Sequence, residues 1–195
     1  MSQRYCLNNR LAMYSFLFLS NLLEEKGALL VLDACQRLMN RGRVFRCHFV
    51  GGESKELSFA CMKDEVKARA LQSVISLHGP LYGGDKEKIL KNADALVFPT
   101  FYHNECFPLV ILEAMKHGLP VISTNIAAIS DIVVPEETGV LVKPRDVESL
   151  VDAMEYFLDN PEKSAELGKN GQLRFRNYFT VQSFESTLCD ILREA

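Results

Sequence analysis

The chain has 195 residues, 48% of them hydrophobic, which is enough for one α/β domain with a sizeable core and too few for two. Its 22 basic and 25 acidic residues give a formal net charge of −3, so it lacks the basic excess that neutralises nucleic-acid phosphates. The longest apolar runs fall far short of the ~20 residues that a membrane span needs. We therefore expect no nucleic-acid partner and no membrane-spanning segment.

Short apolar runs alternate with amphipathic stretches along the chain, which is typical of β-α-β units around a parallel sheet. The pattern predicts strands at residues 16–20, 45–50, 74–78, 95–99, 121–124 and 139–142. It predicts helices at residues 26–39, 56–71, 85–93, 108–117 and 146–158, with Asp85 and Asp146 as N-caps. The fold class is therefore expected to be α/β, a doubly wound parallel sheet of about six strands with its core at residues 15–179.

Beyond Pro161 the pattern is helical to about residue 178, and a last helical stretch occupies residues 180–195. This closing helix carries one apolar stripe, and a helix this short is marginal without tertiary contacts. We expect it to be more mobile than the sheet or to be ordered by another chain, for example in a dimer. The stripe consists of Val181, Phe184, Leu188, Ile191 and Leu192.

The six cysteines are scattered, and none forms a C-x-x-C pair. Cys35 and Cys47 fall within apolar periodic segments, where a reduced thiol behaves as a small hydrophobic group. No secretory signal pattern opens the sequence. The expected location is the cytoplasm, with neither a zinc site nor a disulfide framework.

Two glutamates, Glu105 and Glu113, follow the fourth predicted strand at a spacing of eight positions. Ligands of doubly wound sheets bind outside the carboxyl ends of the strands, so this is where a site is expected. Glu113 lies in a helix with apolar residues around nearly all of its circumference, which predicts a buried carboxylate that needs a partner. Ligand hydroxyls and an internal ion pair are the two alternatives.

Three further features lie just after predicted strands. The first turn of the Glu113 helix offers the backbone N–H groups of Leu109 and Val110, which with the helix dipole favour a diphosphate. Lys26 could reach a phosphate as a point charge, or be a solvated surface lysine. The glycine pair at residues 51–52 allows backbone to approach a ligand closely, or forms an ordinary tight turn. The sequence contains neither a dinucleotide fingerprint nor a P-loop.

With these features, the chain resembles the carboxy-terminal domain of family 4 retaining glycosyltransferases, which have the GT-B fold of two facing Rossmann-like domains. The resemblance covers about residues 16–179. Its most specific element is the E-x7-E motif from Glu105 to Glu113, followed by Gly118-Leu-Pro120-Val121. Shorter sequence motifs at residues 26–27, 93–99 and 138–142 also match the pattern of this family.

The resemblance implies the donor-binding half of a glycosyltransferase of hexosyltransferase type, with a nucleoside-diphosphate sugar as substrate and neither cofactor nor bound metal. It implies catalytic roles for Glu105, which would face the transferred sugar, and for Lys26, which would neutralise the leaving diphosphate. Glu113 would bind the donor ribose, and the main chain of Leu81 would contact the nucleobase. The other donor-binding positions implied are Gly51, Gly52, Phe107, Leu109 and Val110, with Asn21 beside them.

The chain departs from the family pattern in two places. Asn21 stands where the family often has an arginine that contacts the diphosphate, and residues 127–131 replace a stretch that often contains a glycine pair. The amino-terminal domain, which supplies acceptor contacts and any peripheral membrane association, is expected to be absent, so the chain alone is expected to be inactive. A non-catalytic nucleotide-sugar-binding or interaction module, and a GT-B-fold epimerase or phosphorylase, stay open as alternatives.

Overall fold

The computed structural model describes residues 13–194, and this part of the chain forms one parallel sheet of six strands flanked by helices. The strands lie in the spatial order β3-β2-β1-β4-β5-β6, and every neighbouring pair is parallel. The predicted fold class is confirmed. The strands are β1 Ser15–Leu19, β2 Arg46–Val50, β3 Ile75–Leu77, β4 Ala95–Phe98, β5 Val121–Thr124 and β6 Gly139–Val142.

The helices follow the predicted alternation with the strands. Asp146 caps its helix as predicted, since its Oδ1 accepts a hydrogen bond from Ser149 N at 3.1 Å. The prediction of Asp85 as a cap is wrong, because the chain leaves the extended conformation at Tyr82 and Asp85 lies within the first turn. The helices are α1 Ala28–Asn40, α2 Phe59–Ala68, α3 Gly83–Asn92, α4 Leu109–Lys116, α5 Ile129–Ile132, α6 Val147–Asp159, α7 Pro161–Tyr178 and α8 Val181–Glu194, with a 3-10 turn at Glu24–Lys26.

The core lies on both faces of the sheet. Alternate residues of β1 point to opposite faces, so Phe16 and Phe18 belong to one buried cluster and Leu17 and Leu19 to the other. The strand order reverses between β1 and β4, whose carboxyl ends therefore form the topological switch point of the sheet. This topology brings the loop after β1 next to the loop after β4.

Gly27 joins these two loops. It adopts a left-handed conformation with φ of 85°, and a Cβ atom there would lie 2.5 Å from the carbonyl oxygen of Pro99. Any side chain would push the β1 loop away from the β4 loop. Gly27 is therefore needed to hold Lys26 close to the segment that follows β4.

The last helix, α8, packs against α7 at the domain surface. All five side chains of its apolar stripe are exposed. Its expected mobility and its expected contact with another chain stay predictions. Over residues 13–194, no helix combines the length and apolar content required to cross a bilayer.

Candidate functional site

An ion pair between Lys26 and Glu105 connects the two loops at the switch point. Lys26 Nζ lies 2.7 Å from Glu105 Oε2, and the two side chains are only 15% and 9% exposed. The hydroxyl of Thr100 donates a hydrogen bond to the same carboxylate oxygen at 3.3 Å. The ammonium also lies 4.5 Å from the centre of the Tyr102 ring, within cation–π range. The structure thus brings both proposed catalytic residues together, and their catalytic roles stay predictions.

A second ion pair holds Glu113. Lys86 Nζ on α3 lies 2.7 Å from Glu113 Oε1, and these side chains are 27% and 38% exposed. The other carboxylate oxygen, Oε2, is buried and has no hydrogen-bond partner within the described residues. The internal ion pair thus accounts for one oxygen, and the other lacks the partner that a buried carboxylate needs, so contact with ligand hydroxyls stays a prediction.

The expectation that Glu113 is a buried residue on a buried helix is wrong. Its side chain is more than a third exposed, and Leu109 in the first turn of α4 is 66% exposed. The buried side chains of α4 are Ile111, Ala114 and Met115, on the face that packs against the rest of the domain. The first turn of α4 is instead open to solvent at Leu109.

A cavity of about 270 Å³ lies at the carboxyl ends of β1 and β2, close to the lower end of the range for small-molecule sites. Five of the predicted donor-binding residues line it: Asn21, Gly51, Gly52, Leu81 and Val110. The remaining lining residues are Leu19, Ser20, Val50, Pro80, Tyr82 and Lys86. Residues far apart in sequence therefore form one concave surface, as a common ligand would require.

The side chains of Phe107 and Leu109 do not line this cavity. They are 44% and 66% exposed, and the ring of Phe107 meets that of Phe179 at a centroid distance of 6.2 Å. The predicted contact with a diphosphate uses backbone N–H groups rather than these side chains. No side chain caps α4, and the residue before the helix is Pro108. The N–H groups of the first helical turn are therefore those of Leu109 and Val110.

The glycine turn after β2 packs against the loop after β1. A Cβ atom on Gly51 would lie 1.8 Å from the carbonyl oxygen of Ser20, and Gly52 N donates to Asn21 Oδ1 at 3.2 Å. The tight-turn alternative therefore explains why residue 51 is a glycine, since the protein's own backbone occupies the space beside it. Asn21, in the position of the family's arginine, holds this turn and adds no charge.

Two histidines face each other beside the glycine turn. His48 Nδ1 lies 2.9 Å from His78 Nε2, and the carbonyl of the next residue, Gly79, accepts from Gly51 N at 3.0 Å. Partial burial lowers the pKa of both imidazoles, and the facing His78 lowers the pKa of His48 further. The pair is therefore neutral near pH 7. The sequence pattern did not predict this pair.

Two reactive side chains close to Glu105 in the sequence, His103 and Cys106, do not line the cavity. The side chain of His103 is 74% exposed, with Nδ1 3.9 Å from Glu25 Oε1. Cys106 is exposed, and its thiol donates to the carbonyl of Asn104. Within residues 13–194, no group of three His, Cys, Asp or Glu side chains is arranged to hold a metal ion.

Comparison with known proteins agrees with this architecture. The chain is 30% identical to D-rhamnosyltransferase WbpZ of Pseudomonas aeruginosa over 167 residues, which cover 85% of the chain and 42% of WbpZ. Its structure resembles sucrose-phosphate synthase from Thermosynechococcus elongatus, with a TM-score of 0.82 and 26% identity over 93% of the chain and 45% of the synthase. It also resembles Anabaena HepE in complex with UDP, with a TM-score of 0.83 and 18% identity over 94% of the chain and 50% of HepE.

These matches cover half or less of each protein compared. Residues 9–174 match the family described as glycosyl transferases group 1, which accounts for most of the chain. This match includes the loops after β1 and β4, both lysine–glutamate pairs and the cavity beside them. The chain belongs to the glycosyl transferases group 1 family.

Proposed function

We propose that this chain binds a nucleoside-diphosphate sugar and is the donor-binding part of a glycosyltransferase that transfers a hexosyl group with retained anomeric configuration. The observation that carries the proposal is the cavity at the carboxyl ends of β1 and β2, where five predicted donor-binding residues meet and where Lys86 pairs with Glu113 of the E-x7-E motif. The HepE structure in complex with UDP supports the same class of ligand.

In the proposed complex, the nucleoside occupies the cavity and the diphosphate lies toward the first turn of α4. The ribose hydroxyls satisfy the buried Oε2 of Glu113, which has no protein partner within the described residues. An ammonium has three N–H donors, so Lys26 keeps its bond to Glu105 and still donates to the diphosphate. Glu105 then lies where the transferred sugar is expected.

The proposed reaction breaks the bond between the sugar's anomeric carbon and the diphosphate oxygen, an acceptor hydroxyl oxygen bonds to that carbon, and the hydroxyl proton leaves with the nucleoside diphosphate. The main requirement is stabilisation of the negative charge that grows on the diphosphate. Lys26 and the amides of Leu109 and Val110 supply it, at a few kcal/mol for each well-placed donor. The proposed mechanism uses neither a metal nor another cofactor.

The activity of the whole enzyme depends on an acceptor site, which the proposal assigns to a facing domain outside these 195 residues. The proposed location is the cytoplasm. Cys35 and Cys47 are buried neighbours in the core, and burial raises the pKa of the Cys35 thiol well above its ordinary value.

Calorimetry with the 195-residue chain tests the proposal. We expect a nucleoside diphosphate to bind in the high micromolar to millimolar range, on the order of 4–6 kcal/mol, because only one wall of the cleft is supplied by this chain. Absence of both heat and NMR shifts with every nucleoside diphosphate at millimolar concentration would contradict it.

A non-catalytic nucleotide-sugar-binding module is the second candidate. It is favoured by the charge at the site, where two lysines are each neutralised by a glutamate and Asn21 adds no cation. Donor affinity without transfer, after the chain is joined to a complete amino-terminal domain, would select this candidate. Transfer of the sugar in the same assay would select the enzyme.

A further inference from the structure

Lys86 is a charged residue of the cavity to which the proposed function gives no role. It lines the same concave surface as Leu81 and Val110, and its side chain is only 27% exposed. A lysine on an amphipathic surface helix is ordinarily solvated, so its placement in the pocket wall needs a reason.

The surroundings of Lys86 fix both its position and its chemistry. Its ammonium has three N–H donors and no acceptor, and Glu113 Oε1 takes one donor at 2.7 Å. The ion pair compensates most of its charge, so the remaining N–H groups act as directional hydrogen-bond donors. A ligand that presents an acceptor to this wall gains a charge-assisted hydrogen bond, whereas one that presents a donor does not.

Lys86 also lies between two proposed subsites of the nucleotide. The backbone N–H of Lys86 donates to the carbonyl of Tyr82, the residue just before α3. Lys86 therefore lies in the first turns of the helix that follows Leu81. Leu81 is the proposed nucleobase contact, and Glu113 is the proposed ribose contact. Lys86 lines the same cavity as Leu81, and its ammonium lies 2.7 Å from Glu113, so the inference puts this ammonium between the proposed base and ribose contacts.

We propose that Lys86 determines nucleobase specificity by donating a hydrogen bond to a base carbonyl. Uracil at O4 and guanine at O6 present this acceptor, whereas cytosine and adenine carry an amino donor at the corresponding positions. An amino group facing Lys86 offers no acceptor to the N–H groups that Glu113 does not take, which costs affinity. This inference rests on the proposed function, because it assumes that the cavity binds a nucleotide.

Two matched comparisons test the inference: UDP against CDP, and GDP against ADP, each titrated into the 195-residue chain by calorimetry. The wild type should bind UDP and GDP roughly tenfold more tightly than their amino counterparts. Lys86→Gln should bring both ratios to within about twofold, because an amide both donates and accepts. Lys86→Arg, which has only donors, should retain the preference, and Lys88→Gln on the exposed surface of α3 is the matched control.

The possible outcomes separate this inference from the function on which it rests. Equal affinity of the wild type for both members of each pair, or ratios unaffected by Lys86→Gln, would overturn the role of Lys86 while leaving the nucleotide site intact. A tighter fit for CDP and ADP would overturn it as well. Binding of none of the four at millimolar concentration would overturn both proposals, and thermal unfolding of each variant checks that the fold is unchanged.

Discussion

The two lysine–glutamate pairs of the site have the same N–O distance, 2.7 Å, but very different surroundings. The inner pair, Lys26–Glu105, is almost buried and receives a further hydrogen bond from Thr100. The outer pair, Lys86–Glu113, is partly open to solvent and leaves one buried oxygen without a partner. Burial and additional partners, rather than distance, decide what an ion pair contributes. The inner pair therefore joins the two loops, and the outer pair is the one with an oxygen left open to the proposed ribose contact.

The largest expected effect is on stability, and it follows from the burial of the inner pair. Glu105→Ala should lower the free energy of unfolding by about 2–3 kcal/mol, because it leaves the Lys26 ammonium partly buried and unpaired. Glu113→Ala should cost at most about 1 kcal/mol, as for other exposed pairs. Urea denaturation of both variants measures the difference. Equal losses would remove the distinction between the pairs, and the double variant Lys26→Met/Glu105→Leu should recover part of the loss.

The second test measures ligand binding, for which we expect substitution of Glu113 to have the larger effect and substitution of Glu105 the smaller. Glu113→Gln should weaken nucleoside diphosphate affinity by roughly 1.5–3 kcal/mol, since the ribose would lose charge-assisted hydrogen bonds. Glu105→Gln should leave nucleoside diphosphate binding within about twofold and impair sugar transfer in the full-length protein. Calorimetry and a transfer assay check the two effects. If Glu113→Gln keeps its affinity but loses stability, the carboxylate serves only its ion pair with Lys86 and the site assignment is wrong.

A smaller effect concerns backbone strain near the site, to which neither ion pair contributes. Ala127 adopts a left-handed conformation with φ of 48°, at the stretch where the family often has a glycine pair. Ala127→Gly should therefore raise the free energy of unfolding by up to about 1 kcal/mol. Ala128→Gly is the matched control and should be destabilising, because the φ of Ala128 is −79°. Destabilisation by both glycines would show that Ala127 is not strained.

The smallest expected effect comes from a third pair of facing titratable groups, His48 and His78, which is neutral near pH 7. Partial burial lowers the pKa of both below the value of about 6.5 expected in the unfolded chain. The unfolded chain therefore binds more protons below pH 6.5, and the free energy of unfolding should fall as the pH is lowered through this value. His48→Gln should reduce the slope between pH 7.5 and 5.5 in denaturant titrations. A wild-type stability that rises on acidification over this range would contradict the sign.

The fold could be predicted from sequence more fully than the site. Each strand lies within a residue or two of its predicted bounds, because alternation of apolar runs and amphipathic helices is a local signal. Lys86 could not be identified, since its partner depends on how α3 packs beside α4. Glu113 was expected to be buried because α4 is apolar in composition, yet composition does not show that its first turn is open to solvent at Leu109. The glycine pair could be recognised as a place where backbone is approached closely. The sequence did not show that the carbonyl of Ser20 is what approaches it.

The contact between Phe107 and Phe179 has a consequence for where this polypeptide can be cut or joined to another. Phe179 is the first residue after α7, and its ring meets Phe107, in the segment that leads into α4 at the proposed donor site. A truncation after Phe179 removes α8 and retains this support for the donor loop. A truncation after Tyr178 removes one more residue and takes the support away. The boundary of the smallest ligand-binding fragment is therefore expected to fall between Phe179 and Thr180.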